Sequence, residues 1–350
     1  MKLAYSVCTT SYLWQAEALT QSFLKYNPDY KFIVCVVDRP LETVKQYQFS
    51  FELVWIEDLQ IPELPLLIEY YNVFSLLMAA KGIVADILLS RYQPEHLIYL
   101  DTDILVFHSF DWLAAQFEQY DIFITPHCHI PPPYQTPLTE VKTSLLPQNP
   151  YEDRVFLLTG LYNAGFVAIK NTEQGRGFAA WWSKNLKNQC FPSHYIGLFF
   201  DQIWLNLVPI YFDKTCIVRN LGYNMGCWSL HERKITIKNG QYYVNDTLPL
   251  VFFHYTGYRH QEPNQIAEWI SLTLDDMPAL KPIFEPYQRL AETQLYKDLH
   301  KIPCAFAAEH QAIQQSKKVV VKEALSFRIL RKLLSFLPNT LRQQLKKALG

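Results

Sequence analysis

Residues 97–107 read Leu97-Ile98-Tyr99-Leu100-Asp101-Thr102-Asp103-Ile104-Leu105-Val106-Phe107. Two acids, Asp101 and Asp103, interrupt an otherwise apolar run. Such flanks mark a buried strand that reaches a surface at Asp101. In an open α/β sheet, ligands bind outside the carboxyl ends of the strands. Two carboxylates placed there repel each other unless a cation or several donors sit between them. A hard divalent ion, shared with a diphosphate, resolves that repulsion. The competing reading is a pair of solvated turn acids, and Asp-x-Asp alone does not decide. The apolar flanks favour the first, because a polar turn rarely sits inside a strand-like run.

Outward from this stretch the chain alternates strand and helix. Residues 3–7 form a first strand, followed by the polar loop Cys8-Thr9-Thr10-Ser11-Tyr12. Helical spacing then runs over 13–26, and Asn27-Pro28-Asp29 stops it. A second strand over 32–37 ends on Asp38. This is a βαβ unit with polar groups at both strand ends. Thr9, Thr10, Tyr12 and Asp38 suit a nucleoside, since a Tyr ring stacks on a base and an acid accepts from base or ribose. The alternative is ordinary loop polarity. No Gly-x-Gly-x-x-Gly is present, so a Rossmann dinucleotide site is not supported. A third strand covers 51–56. A helical pattern over 67–89 contains Lys81 and is expected to break at Gly82.

Beyond the acids, a helix is expected over 112–119 and a strand over 122–125. Residues 126–154 are Pro-rich and read as a loop over the substrate. His127-Cys128-His129 resembles a ligand row, but neighbours on an extended chain point in alternating directions. Leu157 to Ile169 contains the turn Tyr162-Asn163-Ala164-Gly165 and an apolar strand. Gly165 admits close backbone approach, and the Asn163 amide both donates and accepts. A helix over 175–186 carries Trp181 and Trp182 as core residues. Asp201 and Gln202 stand where an apolar run turns into a helix, with Asp201 as N-cap. Asn220 to Asn224 is a polar turn, and residues 235–244 with Asn239-Gly240 read as a hairpin. The apolar strand 250–254 ends on His254, with Gly257, Arg259 and His260 after it. Imidazole is a good divalent-metal ligand, although a strand-end His is often structural.

Composition bounds the rest. The 350 residues are 49% hydrophobic and 19% charged, which suits a large core, and the formal net charge of −1 gives no sign of a nucleic-acid partner. The seven Cys form no Cys-x-x-Cys, so neither a zinc ribbon nor a disulfide framework is expected. They read as small core residues of a reducing compartment. No signal peptide or membrane span is read from the pattern, and a cytoplasmic location is expected. The last stretch, 317–350, is basic and amphipathic, which suits contact with an anionic membrane surface or packing on its own domain.

Three stretches stand in order: Asp101-Thr102-Asp103, Asn163-Ala164-Gly165 with Asp201-Gln202, and His254-Tyr255-Thr256-Gly257. This set resembles the nucleotide-sugar glycosyltransferases of GT-A fold. It is most similar to the family 8 group that includes glycogenin and the bacterial lipopolysaccharide galactosyltransferases. The similarity covers residues 1–260. It implies an α/β fold, a mixed sheet flanked by helices, in a transferase domain over 1–265. A helical extension over 266–316 and the basic tail over 317–350 follow it. It implies Mn²⁺ or Mg²⁺ held by Asp101, Asp103 and His254. It implies catalytic positions at Asp201 and Gln202. The donor, usually a UDP-sugar, would meet Thr9, Thr10, Tyr12, Asp38, Lys81, Thr102, Asn163, Ala164 and Gly257. The family's third motif runs His-x-x-Gly-x-x-Lys. Here His260 stands at the Lys position, and Arg259 beside it is the substitute for the phosphate contact. The implied activity is transfer of a sugar, with retention, to a glycan or lipid-linked glycan. That would place the protein at the inner face of a membrane if the tail docks there. From another class, a non-catalytic metal-dependent nucleotide-sugar binding module uses the same ligands and dispenses with Asp201 and Gln202. A phosphohydrolase or nucleotidyltransferase would need more acids near Asp101 or a phosphate loop after the first strand.

Overall fold

The computed structural model describes residues 1–134 and 152–317. Strands β1 (Lys2–Cys8), β2 (Tyr30–Val36) and β3 (Glu52–Trp55) lie parallel, in the order β3-β2-β1. The chain then crosses to the other side of β1 and lays β4 (His96–Leu100) parallel to it. The reversal of direction opens a crevice between the carboxyl ends of β1 and β4, where ligands of such sheets bind. Thr9-Thr10 and Asp101-Thr102-Asp103 directly follow those two ends.

After β5 (Ile104–Val106) come β6 (Ile122–Pro126), β7 (Tyr162–Lys170) and β8 (Thr215–Ile217). The sheet runs β3-β2-β1-β4-β7-β6-β8, with β7 antiparallel to both β4 and β6. The observed fold is therefore α/β with a mixed sheet, as expected. Alternate residues of the strands feed opposite faces. Leu3, Tyr5, Val7, Leu97 and Tyr99 pack on one side with α2 (Leu64–Tyr70), α3 (Val73–Tyr92) and the helix Glu173–Gln189. Ala4, Cys8, Ile98 and Leu100 pack on the other with α1 (Leu13–Tyr26) and the region of α4 (Asp111–Gln116).

A second, small sheet completes the site. β13 (Phe252–His254) pairs antiparallel with β5 and parallel with β9 (Met225–Gly226). The hairpin β10 (Ile235–Lys238) to β11 (Gln241–Val244) turns on Asn239 and Gly240, both at positive φ, and β12 (Leu248–Pro249) pairs antiparallel with β11. This is the turn chemistry expected of Asn-Gly. The seven cysteines are free, and Cys8, Cys35, Cys190, Cys216 and Cys227 are buried.

Four local expectations are corrected. Helix α3 is unbroken through Gly82. Gly82 instead lets α3 approach the helix Glu173–Gln189, where a Cβ would lie 2.9 Å from Leu186 Cδ1 and 3.1 Å from the Trp182 ring. The helical break falls at Asn72, whose side chain caps α3 by accepting from Ser75 N at 2.8 Å. At 20 residues α3 is also long and apolar enough to cross a membrane, but here it is the core helix. Residues Asp153–Thr159 form a helix, so Asn163-Ala164-Gly165 lies within β7 and not on a turn before a strand. After residue 265 regular helix begins only at Pro278–Leu280. The last described helix, 305–317, packs back on the first part of the chain, with His310 Nδ1 at 3.0 Å from Ile68 O. Residues 135–151 and 318–350, on which most of the expected Pro-rich loop and the expected basic amphipathic stretch fall, lie outside the described residues.

The tight α3 contact predicts the effect of Gly82→Leu. Urea denaturation should show a loss of about 2 kcal/mol, the usual cost of overpacking. An unchanged or raised midpoint would contradict the packing.

Candidate functional site

The β5–β13 pairing sets His254 opposite Ile104, and Tyr255 N donates to Asp103 O at 2.7 Å. This register brings a late strand end to the Asp-x-Asp turn. His254 Nε2 lies 2.9 Å from Asp103 Oδ1 and 3.7 Å from Asp101 Oδ2. The ligand atoms of Asp101, Asp103 and His254 all lie within 4.8 Å of one another. Two carboxylates and an imidazole are the donors that a hard to borderline divalent ion takes, so the residues fit one. Gly165 makes the space. A Cβ there would sit 2.3 Å from His254 Cε1 and 2.8 Å from Asn163 Oδ1. Trp228 packs edge-on against the other side of the His254 ring, 5.3 Å between centroids.

Behind the acids stands Lys81, delivered by the middle of α3. Its Nζ is 2.9 Å from Asp101 Oδ1 and 3.0 Å from Asp201 Oδ2, and its side chain is 3% exposed. Tyr99, two residues before Asp101 on the same strand face, donates to Asp101 Oδ1. Burial alone would lower the Lys81 pKa, but the two carboxylates outweigh it and raise it. Burial also pushes Asp201 above the usual carboxylate range, with Lys81 opposing. Burial would raise Asp103 too, yet His254 more than offsets this and lowers it. His254 is the mirror case: burial lowers it, and Asp103 with Asp101 carries it above the ordinary imidazole value. Asp201 does not act as an N-cap; its side chain makes no capping bond to the helical turn after it and turns to Lys81 instead.

The other predicted residues sit as follows. Gln202 donates to Thr159 O at 2.8 Å, and a Cβ at Gly160, which has φ +124, would lie 3.2 Å from Gln202 Cγ. Thr102 Oγ1 donates to Gln15 Oε1 at 3.1 Å, and Gln15 in turn donates to Tyr287 at 2.7 Å. Asn163 and Ala164 are buried beside Gly165. Thr9 and Thr10 are buried, while Tyr12 exposes 47% of its surface. Burial raises the Tyr12 pKa, and Asp103 and Glu268 add to it. Asp38 is fully buried and accepts from Arg39 N at 2.9 Å and Ala305 N at 2.8 Å.

The third motif is rearranged. Gly257 has φ +72, and the Trp269 ring rests on it, 2.5 Å from where a Cβ would be. Arg259 is exposed and paired with Glu268. His260 is enclosed by Trp14, Tyr258, Tyr287 and Tyr296, with ring centroids 5.2–5.6 Å away. Burial pushes its pKa down to about 4, so at neutral pH the ring carries no charge.

His127, Cys128 and His129 do not converge. His127 and Cys128 bond Leu161 O and Trp228 O, and His129 faces the buried Glu232–Arg233 pair. Asp101, Asp103 and His254 form the one metal-type cluster among the described residues. Residues missed from sequence are Tyr99, Gln15, Thr125 and Asn224. The Tyr99–Asp101 alternation was a usable signal; the others come from distant segments.

No family model matches the chain. It is 26% identical over 293 residues to YfnF, an uncharacterised protein of Bacillus subtilis (strain 168), spanning 81% of this chain and 91% of that one. YfnD of the same organism is 20% identical over 287 residues, spanning 81% and 86%. Among solved structures, the galactosyltransferase LgtC in complex with donor and acceptor sugar analogues superposes with a TM-score of 0.48 at 14% identity, covering 87% of this chain and 98% of that one. The glycosyltransferase GlyE of Streptococcus pneumoniae TIGR4 gives 0.45 at 16% identity, covering 87% and 65%.

The caged His260 has a folded pKa of about 4 against an ordinary 6.5. In that window the unfolded chain binds the extra proton, so stability falls as pH drops through it. Replacing the ring with a non-titrating one, His260→Phe, should flatten the slope of stability against pH there. The expected change is up to one proton, about 1.4 kcal/mol per pH unit. Denaturation curves across pH 4–6.5 measure it; an unchanged slope would contradict the buried neutral ring.

Proposed function

We propose that the chain is a GT-A-fold, metal-dependent glycosyltransferase. It moves a sugar, with retention, from a nucleoside diphosphate sugar of the UDP type to a glycan or lipid-linked glycan. The observation that carries the reading is the convergence of Asp101, Asp103 and His254 at the switch point of the sheet, with Lys81 and Asp201 directly behind. Asp101, Asp103 and His254 would hold Mn²⁺ or Mg²⁺. When bound, the ion supplies Lewis-acid stabilisation of charge on the leaving diphosphate.

The protein's own groups do the rest. Lys81 holds Asp101 and Asp201 at fixed positions in a buried setting, where electrostatic effects are stronger than in water. Asp201, held by Lys81, would stand near the sugar as positive character develops at its anomeric carbon. Gln202, anchored on Thr159 O, orients the sugar beside it. Tyr12 offers an exposed ring to the base, on the loop shaped by Thr9 and Thr10. Neutral His260 is not a phosphate cation in this reading. Arg259 takes that task by exchanging Glu268 for phosphate. Membrane contact through the basic residues 317–350 would bring the site to a lipid-linked acceptor.

Donor hydrolysis and transfer over a panel of UDP, GDP and CMP sugars test the reading. Activity with one donor should require Mn²⁺ or Mg²⁺ and vanish with chelator. Asp103→Asn and Asp201→Asn should each lower turnover by roughly 10²-fold or more. Turnover near wild type in both variants would sink the assignment. Donor binding without any turnover would point to the binding module instead.

A further inference from the structure

We propose that Asn224 is a positioning residue: it locks the ring of His254 so that the Nε2 lone pair, and not the Nδ1 one, is presented to the ion. The inference rests on the metal-site reading above and adds a residue and a proton assignment to it. Its basis is a buried chain of hydrogen bonds whose donors and acceptors fit in one order only.

The chain starts at His127. Its Nδ1 lies 3.2 Å from Leu161 O. A carbonyl oxygen only accepts, so Nδ1 carries the hydrogen. The ring is buried and neutral, with a pKa pushed down to about 4, so Nε2 keeps its lone pair. Asn163 Nδ2 lies 3.4 Å from that nitrogen and donates to it. This orients the Asn163 amide, and its Oδ1 accepts from Gly165 N at 2.9 Å and from Asn224 Nδ2 at 3.0 Å. Asn224 Nδ2 places its other hydrogen on Thr125 Oγ1 at 2.7 Å. Both amide hydrogens of Asn224 are then in use.

The remaining atom, Asn224 Oδ1, faces His254 Nδ1 at 3.2 Å. An amide oxygen only accepts, so His254 Nδ1 must carry a hydrogen. Turning the Asn224 amide over would set its oxygen against the Asn163 oxygen, which Gly165 N already fixes as an acceptor. His127, Asn163, Asn224 and His254 are all at most 8% exposed, so water does not relieve a reversed order. The backbone adds a second lock. Asn224 has φ +50, a left-handed conformation that Asn tolerates better than most residues. With Nδ1 occupied, Nε2 is the nitrogen that faces Asp103 and Asp101, and the proton it shares with them is released to solvent when an ion takes its lone pair. Fixing a ligand ring through the hydrogen bond on its other nitrogen is a general device of metal sites.

Two measurements with metal alone test this. Asn224→Gly suits the positive φ and removes the amide. Mn²⁺ affinity, measured by electron paramagnetic resonance, should fall about 10–100-fold in Asn224→Gly, with unchanged far-ultraviolet circular dichroism. Independently, wild-type protein with ¹⁵N-labelled histidine is loaded with Cd²⁺, a diamagnetic stand-in of similar size. The His254 resonance, identified by its loss in His254→Gln, should show a protonated Nδ1 and a metal-shifted Nε2. A ring protonated at Nε2, or equal Mn²⁺ affinity in folded Asn224→Gly, overturns the inference and leaves the metal reading standing. Failure of the wild-type protein to bind Mn²⁺ overturns both. Should Asn224→Gly not fold, the wild-type resonance decides alone.

Discussion

Three carboxylates gather at one strand end, and one buried ammonium group makes this affordable. Lys81 lies between Asp101 and Asp201 at 2.9 and 3.0 Å, in a setting nearly closed to water. Removing one partner of such a group typically costs several kcal/mol, because a charge is left buried alone. The pairing therefore ties three separate segments together: the middle of α3, the end of β4 and the turn before the helical stretch Gln202–Leu207. Lys81 reaches both oxygens of Asp101, at 2.9 and 3.2 Å, while Asp101 Oδ2 and Asp103 Oδ1 also face His254 Nε2. Asp101, Asp103 and His254 are the groups to which the proposed function assigns a divalent ion.

Topology supplies the place and small residues supply the clearance. The crossing from β3 to β4 creates the crevice, and the β5–β13 pairing delivers His254 into it. Gly165 lets the imidazole lie against the β7 backbone, and Gly82 lets α3 pack closely on Trp182 and Leu186. Behind the imidazole lies a neutral, directional chain of amides from His127 to Asn224. Charged Lys81 and Asp201 back the acids, whereas neutral amides back the imidazole.

Much of this was legible in the sequence, and the failures have physical reasons. The alternation of strand and helix, the acids at a strand end and the strand-ending His254 all follow from local periodicity, which is a property of neighbouring residues. Gly82 was misread because a helix-interior glycine looks like a break; its purpose is contact with Trp182 and Leu186, a hundred residues on in sequence terms. Asp201 looked like a cap because cap chemistry is local, whereas its true partner, Lys81, lies on another helix. Asn224 sat in a stretch that read simply as a polar turn. Its role depends on β7, β6 and β13 meeting at one point, which periodicity does not encode. The resemblance put His260 at the family's Lys position with Arg259 as its substitute; the enclosure of His260 was not legible, because Trp14, Tyr287 and Tyr296 come from α1 and the segment after residue 280.

The central claim is that one ion sits between Asp101, Asp103 and His254 and meets a diphosphate there. Crystals grown with UDP and Mn²⁺, measured for anomalous scattering from manganese, test it most directly. The account predicts one strong peak at ordinary bonding distance, about 2.2 Å, from both carboxylates and from His254 Nε2, with the diphosphate completing its shell. A peak elsewhere, or bound UDP with no peak among these three residues, would contradict it.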